Sequence, residues 1–206
     1  RLGKGSFGKV FLVQKKDDLK LYAMKSLRKD VILENDQVES TKLEKDILLK
    51  AKHPFFVKMA YIFQTEQKIY FVMNFIRGGE LFTHLQSDKR FPEERTRFYA
   101  AQIISAIGYL HKKKIIYRDI KPENIMFSKN GQIQLIDFAY SRFLNEIKKE
   151  TEANTRNIFE GTIYYSARIH QSKVRLAHSI DSNGEYPSHS LIKHDLESVI
   201  YVMSSM

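Results

Sequence analysis

Apolar residues along this chain change their spacing partway, and the change divides it. Residues 9–13 (KVFLV) and 21–27 (LYAMKSL) read as strands joined across a polar turn at 15–20. From about 36 to 51, Val38, Ile47, Leu48 and Ala51 fall on one helical face, with Asn35 or Asp36 as the cap. His53 and Pro54 stop that helix, and two further strands are expected at 57–63 and 68–74. Helical spacing then takes over. Pro92, Glu93 and Glu94 suit a helix start, and Ala100, Ile103, Ile107 and Leu110 continue it. Short apolar runs at 115–117, 125–127 and 133–136 read as strands, with Asn130 and Gly131 turning between the last two. The pattern predicts a small β-rich lobe, a connector near 74–79 and a larger helical lobe. A cleft between two such lobes is a common place for a ligand.

Composition narrows the class. The 206 residues are 43% hydrophobic and 28% charged, which is ordinary for a chain that buries a core. Without cysteine there is neither a disulfide framework nor a Cys-ligated metal site. No apolar run approaches the ~20 residues of a membrane span, and no signal-peptide pattern opens the sequence. An intracellular, cytoplasmic protein is expected. The formal charge is +10, from 34 basic and 24 acidic residues, which raises the question of nucleic acid. The lysines are scattered, however, with only a short cluster at Lys112, Lys113 and Lys114. No aromatic-interleaved basic stripe accompanies them, so a solvated surface is the better reading, with neither nucleic acid nor membrane as partner.

Candidate chemistry begins at 3–10, GKGSFGKV, where Gly3, Gly5 and Gly8 give a G-x-G-x-x-G-x-V loop. Such a backbone can approach phosphates closely and offer N–H donors. A tight hairpin or a dinucleotide fingerprint uses similar glycines, but the fingerprint must open a helix, and a strand follows here. Seventeen residues after Gly8 stands Lys25, in an apolar strand where burial would require an anionic partner. Glu44 on the next helix is the candidate, and the pair could hold an ammonium for nucleotide phosphates. The most specific stretch is YRDIKPEN at 117–124, followed by Asp137, Phe138 and Ala139. Asp119 can orient a substrate hydroxyl and accept its proton, and Lys121 can neutralise a transferring phosphoryl group. Asn124 and Asp137 supply the hard oxygen ligands that Mg²⁺ prefers. Phosphoryl transfer asks chiefly for positioning and charge compensation, which this set provides.

With these motifs in order, the sequence resembles a eukaryotic protein kinase. Residues 1 to about 143 resemble the AGC group, through HPFFVKM, IYFVMNFIRGGELF, RFYAAQIISAIGYLH and YRDIKPENIMF. The resemblance implies an α+β, bilobal kinase-like fold: an N-lobe at 1–76 and part of a C-lobe at 77–206. It implies ATP and Mg²⁺, with adenine at the connector after Met73, near Asn74 and Ile76, and Val10 and Ala23 as its roof. Glu80 would reach the ribose, and Glu80 with Glu123 would favour arginine upstream of the phosphorylated residue. Lys121, two after Asp119, resembles Ser/Thr kinases, so the expected partner is a protein or peptide with basic residues near its phosphosite.

The pattern also departs from the family. Ala139 replaces a glycine, a change expected to cost roughly 1–2 kcal/mol if the backbone there is left-handed. FEGTIYYSARI at 159–169 resembles the activation segment, with Thr162 placed to bond Asp119 and Lys121. Ile158 stands at the phosphothreonine position, which leaves Arg118 to find a phosphate at Thr151 or Thr155, and Ile169 replaces a bracing glutamate. KHDLESVIYVMSSM at 193–206 resembles the casein kinase one group, with Asp195 bracing the catalytic loop, and 170–193 reads as an insertion. An incomplete helical lobe is expected. The function implied is a protein Ser/Thr kinase; the alternative is a pseudokinase that binds nucleotide or acts as a scaffold.

Overall fold

The computed structural model describes residues 2–5, 8–144, 199 and 202. Five strands form an antiparallel sheet: β1 (Gly3–Gly5), β2 (Gly8–Gln14), β3 (Leu21–Arg28), β4 (Met59–Gln64) and β5 (Lys68–Asn74). Their order is β1-β2-β3-β5-β4, so β3 lies at the centre. Two helices follow β3, α1 (Lys29–Glu34) and α2 (Val38–Lys50), where a single helix from residue 36 was expected. The break has a local cause. Asn35 Nδ2 donates to Val31 O at 2.8 Å and closes α1, and Asp36 then turns the chain at φ 51°. Short polar side chains tolerate that left-handed backbone. Gln37, rather than Asn35 or Asp36, is therefore the N-cap of α2.

The second lobe contains α3 (Leu81–Asp88), α4 (Glu93–Lys112), and the strands β6 (Ile115–Ile116), β7 (Ile125–Phe127), β8 (Ile133–Leu135) and β9 (Arg142–Phe143). Helix α4 follows the spacing read from the sequence, burying Ala100, Ile103, Ile107 and Leu110 behind the Pro92 N-cap. A left-handed Lys114, φ 58°, ends it and turns the chain into β6. β7 and β8 form the expected hairpin, turning through Gly131 at φ 72°. Helices α1 and α3 and strand β9 had no counterpart in the sequence reading.

The loop between α2 and β4 and the connector after β5 are both fastened to that hairpin. On one side Val57 N donates to Leu135 O at 3.1 Å and Leu135 N to Phe55 O at 2.8 Å. On the other, Gly78 N donates to Phe127 O at 2.9 Å and Phe127 N to Gly79 O at 2.9 Å. The core is continuous across the join, from Leu27 and Phe71 through Phe56 and Phe138 to Tyr117 and Ile103, with Val199 and Val202 packed into it. Among the described residues, no helix is long and apolar enough to cross a membrane.

Gly78 has no room for a side chain: a Cβ there would lie 2.2 Å from Phe127 O. Gly78→Ala should therefore pry the connector from β7 and cost about 1–3 kcal/mol, the usual range for overpacking. Gly131→Asn, in open space at φ 72°, should cost under about 1 kcal/mol, because asparagine accepts left-handed backbone. Urea denaturation of both variants checks the contrast.

Candidate active site

At the centre of β3, Lys25 stands between Val10 of β2 and Phe71 of β5, and its side chain is only 9% exposed. An ammonium there needs anions, and two converge on it. Glu44, on the buried face of α2 with Leu43, Ile47 and Leu48, places Oε1 2.6 Å from Lys25 Nζ. Asp137, just beyond β8, places Oδ1 2.9 Å from the same nitrogen. Burial alone would push the Lys25 pKa down, but Asp137 and Glu44 outweigh it and hold it well above the ordinary lysine value. Burial also raises the Glu44 pKa, with the attraction of Lys25 offsetting only part of the effect. For Asp137 burial pushes upward too, yet Lys25 prevails and its pKa is lowered.

A second cluster forms on the loop between β6 and β7. Arg118 adopts φ 70°, and the turn Pro122–Asn124 follows it. Asn124 Nδ2 donates to Asp119 O at 2.9 Å and to Asp119 Oδ2 at 2.8 Å. Lys121 Nζ lies 2.8 Å from Asp119 Oδ2. The Asp119 carboxylate is thus aimed by two neighbours, and among the described residues Asn124 Oδ1 is left for another partner. The Tyr117 hydroxyl donates to Ile136 O, tying this loop to the strand that ends at Asp137. Thirteen residues separate Asn124 from Asp137, and the hairpin register brings them together: Ile125 pairs with Leu135, and Ile136 N donates to Asn124 O at 3.0 Å.

Between the lobes lies a cavity of about 250 Å³. Its walls include the expected Gly3, Gly8, Val10, Ala23, Lys25, Met73, Asn74, Ile76 and Glu80, together with Glu44 and Asp137. Leu2, Val57, Phe75, Met126 and Ile136 also line it, and the sequence reading missed them. For Met126 and Ile136 the signal was available, since alternation along β7, and along β8 continued one residue past its end, turns Met126 and Ile136 away from the core. Asp119, Lys121 and Asn124 are not among the walls. Gly5 pairs with Gly8 across β1 and β2. Thr162, and the readings of Thr151, Thr155, Ile158, Ile169, Asp195 and the 170–193 insertion, lie outside the described residues.

Two glycines of the loop differ in what they permit. A Cβ on Gly8 would meet Ser26 O at 2.1 Å, so β3 itself demands glycine there. Gly3 faces open space, with nothing within 4 Å of its would-be Cβ.

The left-handed residue of this turn is Asp137, at φ 56°, and Ala139 has no positive φ, so the cost expected for a left-handed alanine does not arise in this arrangement. Ala139 is buried, and its N–H donates to Asp137 Oδ1 at 3.3 Å.

A strand-rich lobe over a helical one, a glycine-edged cavity between them, and a lysine bridging two carboxylates beside an Asp–Lys–Asn loop define the architecture of a protein kinase. The comparisons agree. The protein kinase domain family model matches residues 1–181, and the chain belongs to that family. It is 54% identical over 138 residues to serine/threonine-protein kinase Sgk3 of Rattus norvegicus, covering 66% of this chain and 28% of that one. Protein kinase 2 of Dictyostelium discoideum is 52% identical over 141 residues, 68% of this chain and 29% of its own. The RAC serine/threonine-protein kinase of Drosophila melanogaster is 46% identical over 166 residues, 81% of this chain and 26% of its own. The chain thus spans under a third of the length of these relatives, and the Ser/Thr kinase resemblance read from the sequence is borne out.

The triad makes its two cationic contacts unequal. Lys25→Met leaves the buried Glu44 beside Asp137 with no cation and should cost about 3–5 kcal/mol. Glu44→Gln leaves Lys25 paired with Asp137 and should cost about 1–3 kcal/mol. The pH dependence carries a sign. The raised Glu44 pKa means that the folded state binds its proton first, so this group stabilises folding below the ordinary glutamate value of 4.5. That contribution is lost as pH rises through the raised value, and Glu44→Gln should abolish this part of the pH dependence. Asp137 acts oppositely, its contribution being present above 3.8 and lost in more acid solution. Urea titrations across the acid range check both the ranking and the sign.

Proposed function

We propose that this chain carries the catalytic core of an ATP- and Mg²⁺-dependent protein serine/threonine kinase, with 1–76 covering the nucleotide and 77–206 forming part of the lobe that binds substrate. One observation carries the reading: Asp119, fixed by Lys121 and Asn124, is joined through the β7–β8 hairpin to the Lys25–Glu44–Asp137 triad. The cavity suits a nucleotide. Val10, Ala23, Met73 and Ile136 give apolar walls for a flat base. Asn74 and Ile76 would offer the connector backbone to its edge, and Glu80, also on the wall, would accept from a ribose hydroxyl. The open space at Gly3 leaves room for phosphates.

Asp137, with its side chain 34% exposed, and the remaining Asn124 oxygen make a hard two-ligand set, which suits Mg²⁺ bound jointly with phosphates. That ion would offset charge on the phosphates. Lys25, oriented by Glu44, holds the non-transferred phosphates. Asp119 orients the attacking hydroxyl and accepts its proton, and Lys121 donates to the phosphoryl group in transit, with Thr162 donating to Asp119 and accepting from Lys121. Glu80 and Glu123 support a basic substrate. Glu123 Oε2 is buried with no hydrogen-bond partner among the described residues, and burial, then the nearby Glu123, raises the Glu80 pKa. A substrate guanidinium would satisfy both carboxyl groups. The site of action is proposed as cytoplasmic.

Mg²⁺-dependent phosphate transfer from ATP to a basic Ser/Thr peptide is the test. Asp119→Asn should lower kcat by about 10²–10⁴-fold while leaving nucleotide binding intact. If parent and variant are equally inactive while ATP still raises Tm, the chain is a nucleotide-binding scaffold instead. Glu123→Gln should raise KM for an arginine-containing peptide by about tenfold or more, the loss of one charge-assisted hydrogen bond. KM for the same peptide with that arginine replaced should not change.

A further inference from the structure

We propose that Arg142 and Gln37 form a clasp that sets the position of α2, and through it the contact between Glu44 and Lys25. The inference rests on the kinase reading of the site, but it concerns residues outside the catalytic and nucleotide-binding sets.

Arg142 opens β9, five residues after Asp137, and is 9% exposed. Its Nη1 donates to Ala139 O at 3.3 Å and to Ser141 O at 2.9 Å, so the guanidinium is fixed to the turn that carries Asp137. Nη2 reaches across to Gln37 Oε1 at 3.4 Å. Gln37 is 6% exposed and held from several directions. Its N–H donates to Ile32 O at 2.8 Å, its carbonyl accepts from Thr41 N and Thr41 Oγ1, and its Nε2 donates to Asn35 O at 3.1 Å. As N-cap of α2 it makes no side-chain capping bond, and its amide oxygen is turned to Arg142 instead.

Geometry gives this contact its consequence. Glu44 is seven residues beyond Gln37, two helical turns along the same face. A helix moves as a rigid rod over that distance, so fixing Gln37 fixes the approach of Glu44. The Asp137 turn and α2 are therefore joined twice, by Lys25 near the middle of α2 and by Arg142 at its start. The planar fork explains arginine here, since one lysine ammonium cannot address two carbonyls and a distant amide at fixed angles.

The test uses the full chain with the Lys25 ¹⁵Nζ resonance, assigned with Lys25→Arg, as a direct report on the ammonium's partners. Gln37→Ala and Arg142→Lys should move that resonance toward its position in Glu44→Gln, whereas Gln37→Glu, which keeps an acceptor oxygen, should not. In phosphotransfer, Gln37→Ala should lower kcat/KM by about tenfold alone and add nothing in a Glu44→Gln background, because the two act in series. An unchanged Lys25 resonance in Gln37→Ala, or an equal loss in both backgrounds, would overturn the clasp. Should Gln37→Ala fail to fold, Arg142→Lys against Gln37→Glu carries the same comparison. A parent that transfers no phosphate would sink the kinase reading, and the resonance would then decide the clasp alone.

Discussion

A single ammonium organises this molecule. Lys25 sits in the central strand of the upper sheet, where its charge could not remain without anions. The two it finds come from different places: Glu44 from a helix of the same lobe, Asp137 from the lower lobe, 112 residues away in sequence. The contact therefore reports the relative position of three elements at once. If α2 swings out or the Asp137 turn withdraws, a buried charge loses half its compensation. Buried ion pairs are poor sources of net stability, because desolvation offsets most of the attraction. They are effective at specifying an arrangement, and that is how the triad is used here.

The β7–β8 hairpin provides the complementary constraint. The α2–β4 loop bonds to one of its strands and the connector to the other, residues 55–57 to β8 and 78–80 to β7. Its open end delivers Asn124 and Asp137 side by side, and its register fixes how they meet. The upper lobe thus reads its position from the same short ladder that aims the lower lobe's side chains. Phe138 reinforces the link, packing edge-on against both Phe56 and Tyr117 in the buried core.

Much of this was legible in the residues, and the failures have physical reasons. Helix α4 was readable because its apolar spacing runs for about three turns, from Ala100 to Leu110, and the hairpin because asparagine and glycine mark its turn. The triad was readable only in part. A lysine in an apolar strand announces the need for an anion, and Glu44 could be named, but no local pattern reveals that Asp137 also reaches Lys25. Helix α1 was missed because six residues with one buried position, Ile32, carry no periodicity. Strand β9 is two residues long and exists through pairing with β6, which no window around it encodes. Leu2 and Val57 line the cavity as ordinary apolar residues, one exposed and one part of the core, and only the fold brings them to its wall.

Ala139 shows how backbone geometry sharpens what a departure from a motif means. Glycine at such a position suggests left-handed backbone, and alanine would then be strained. The left-handed residue is instead Asp137, a residue type that tolerates that conformation better than most. With φ 56° at Asp137, its carboxylate faces Lys25 while Phe138 turns into the core. Ala139 then needs only an ordinary φ, and it closes the turn by donating its N–H to Asp137. What the methyl group restricts is the set of other conformations, those in which residue 139 must itself take positive φ. Glycine would leave such states accessible, and alanine raises them by roughly 1–2 kcal/mol. The substitution therefore favours the arrangement in which Asp137 meets Lys25, and narrows the range of motion of the turn without touching a group that does chemistry.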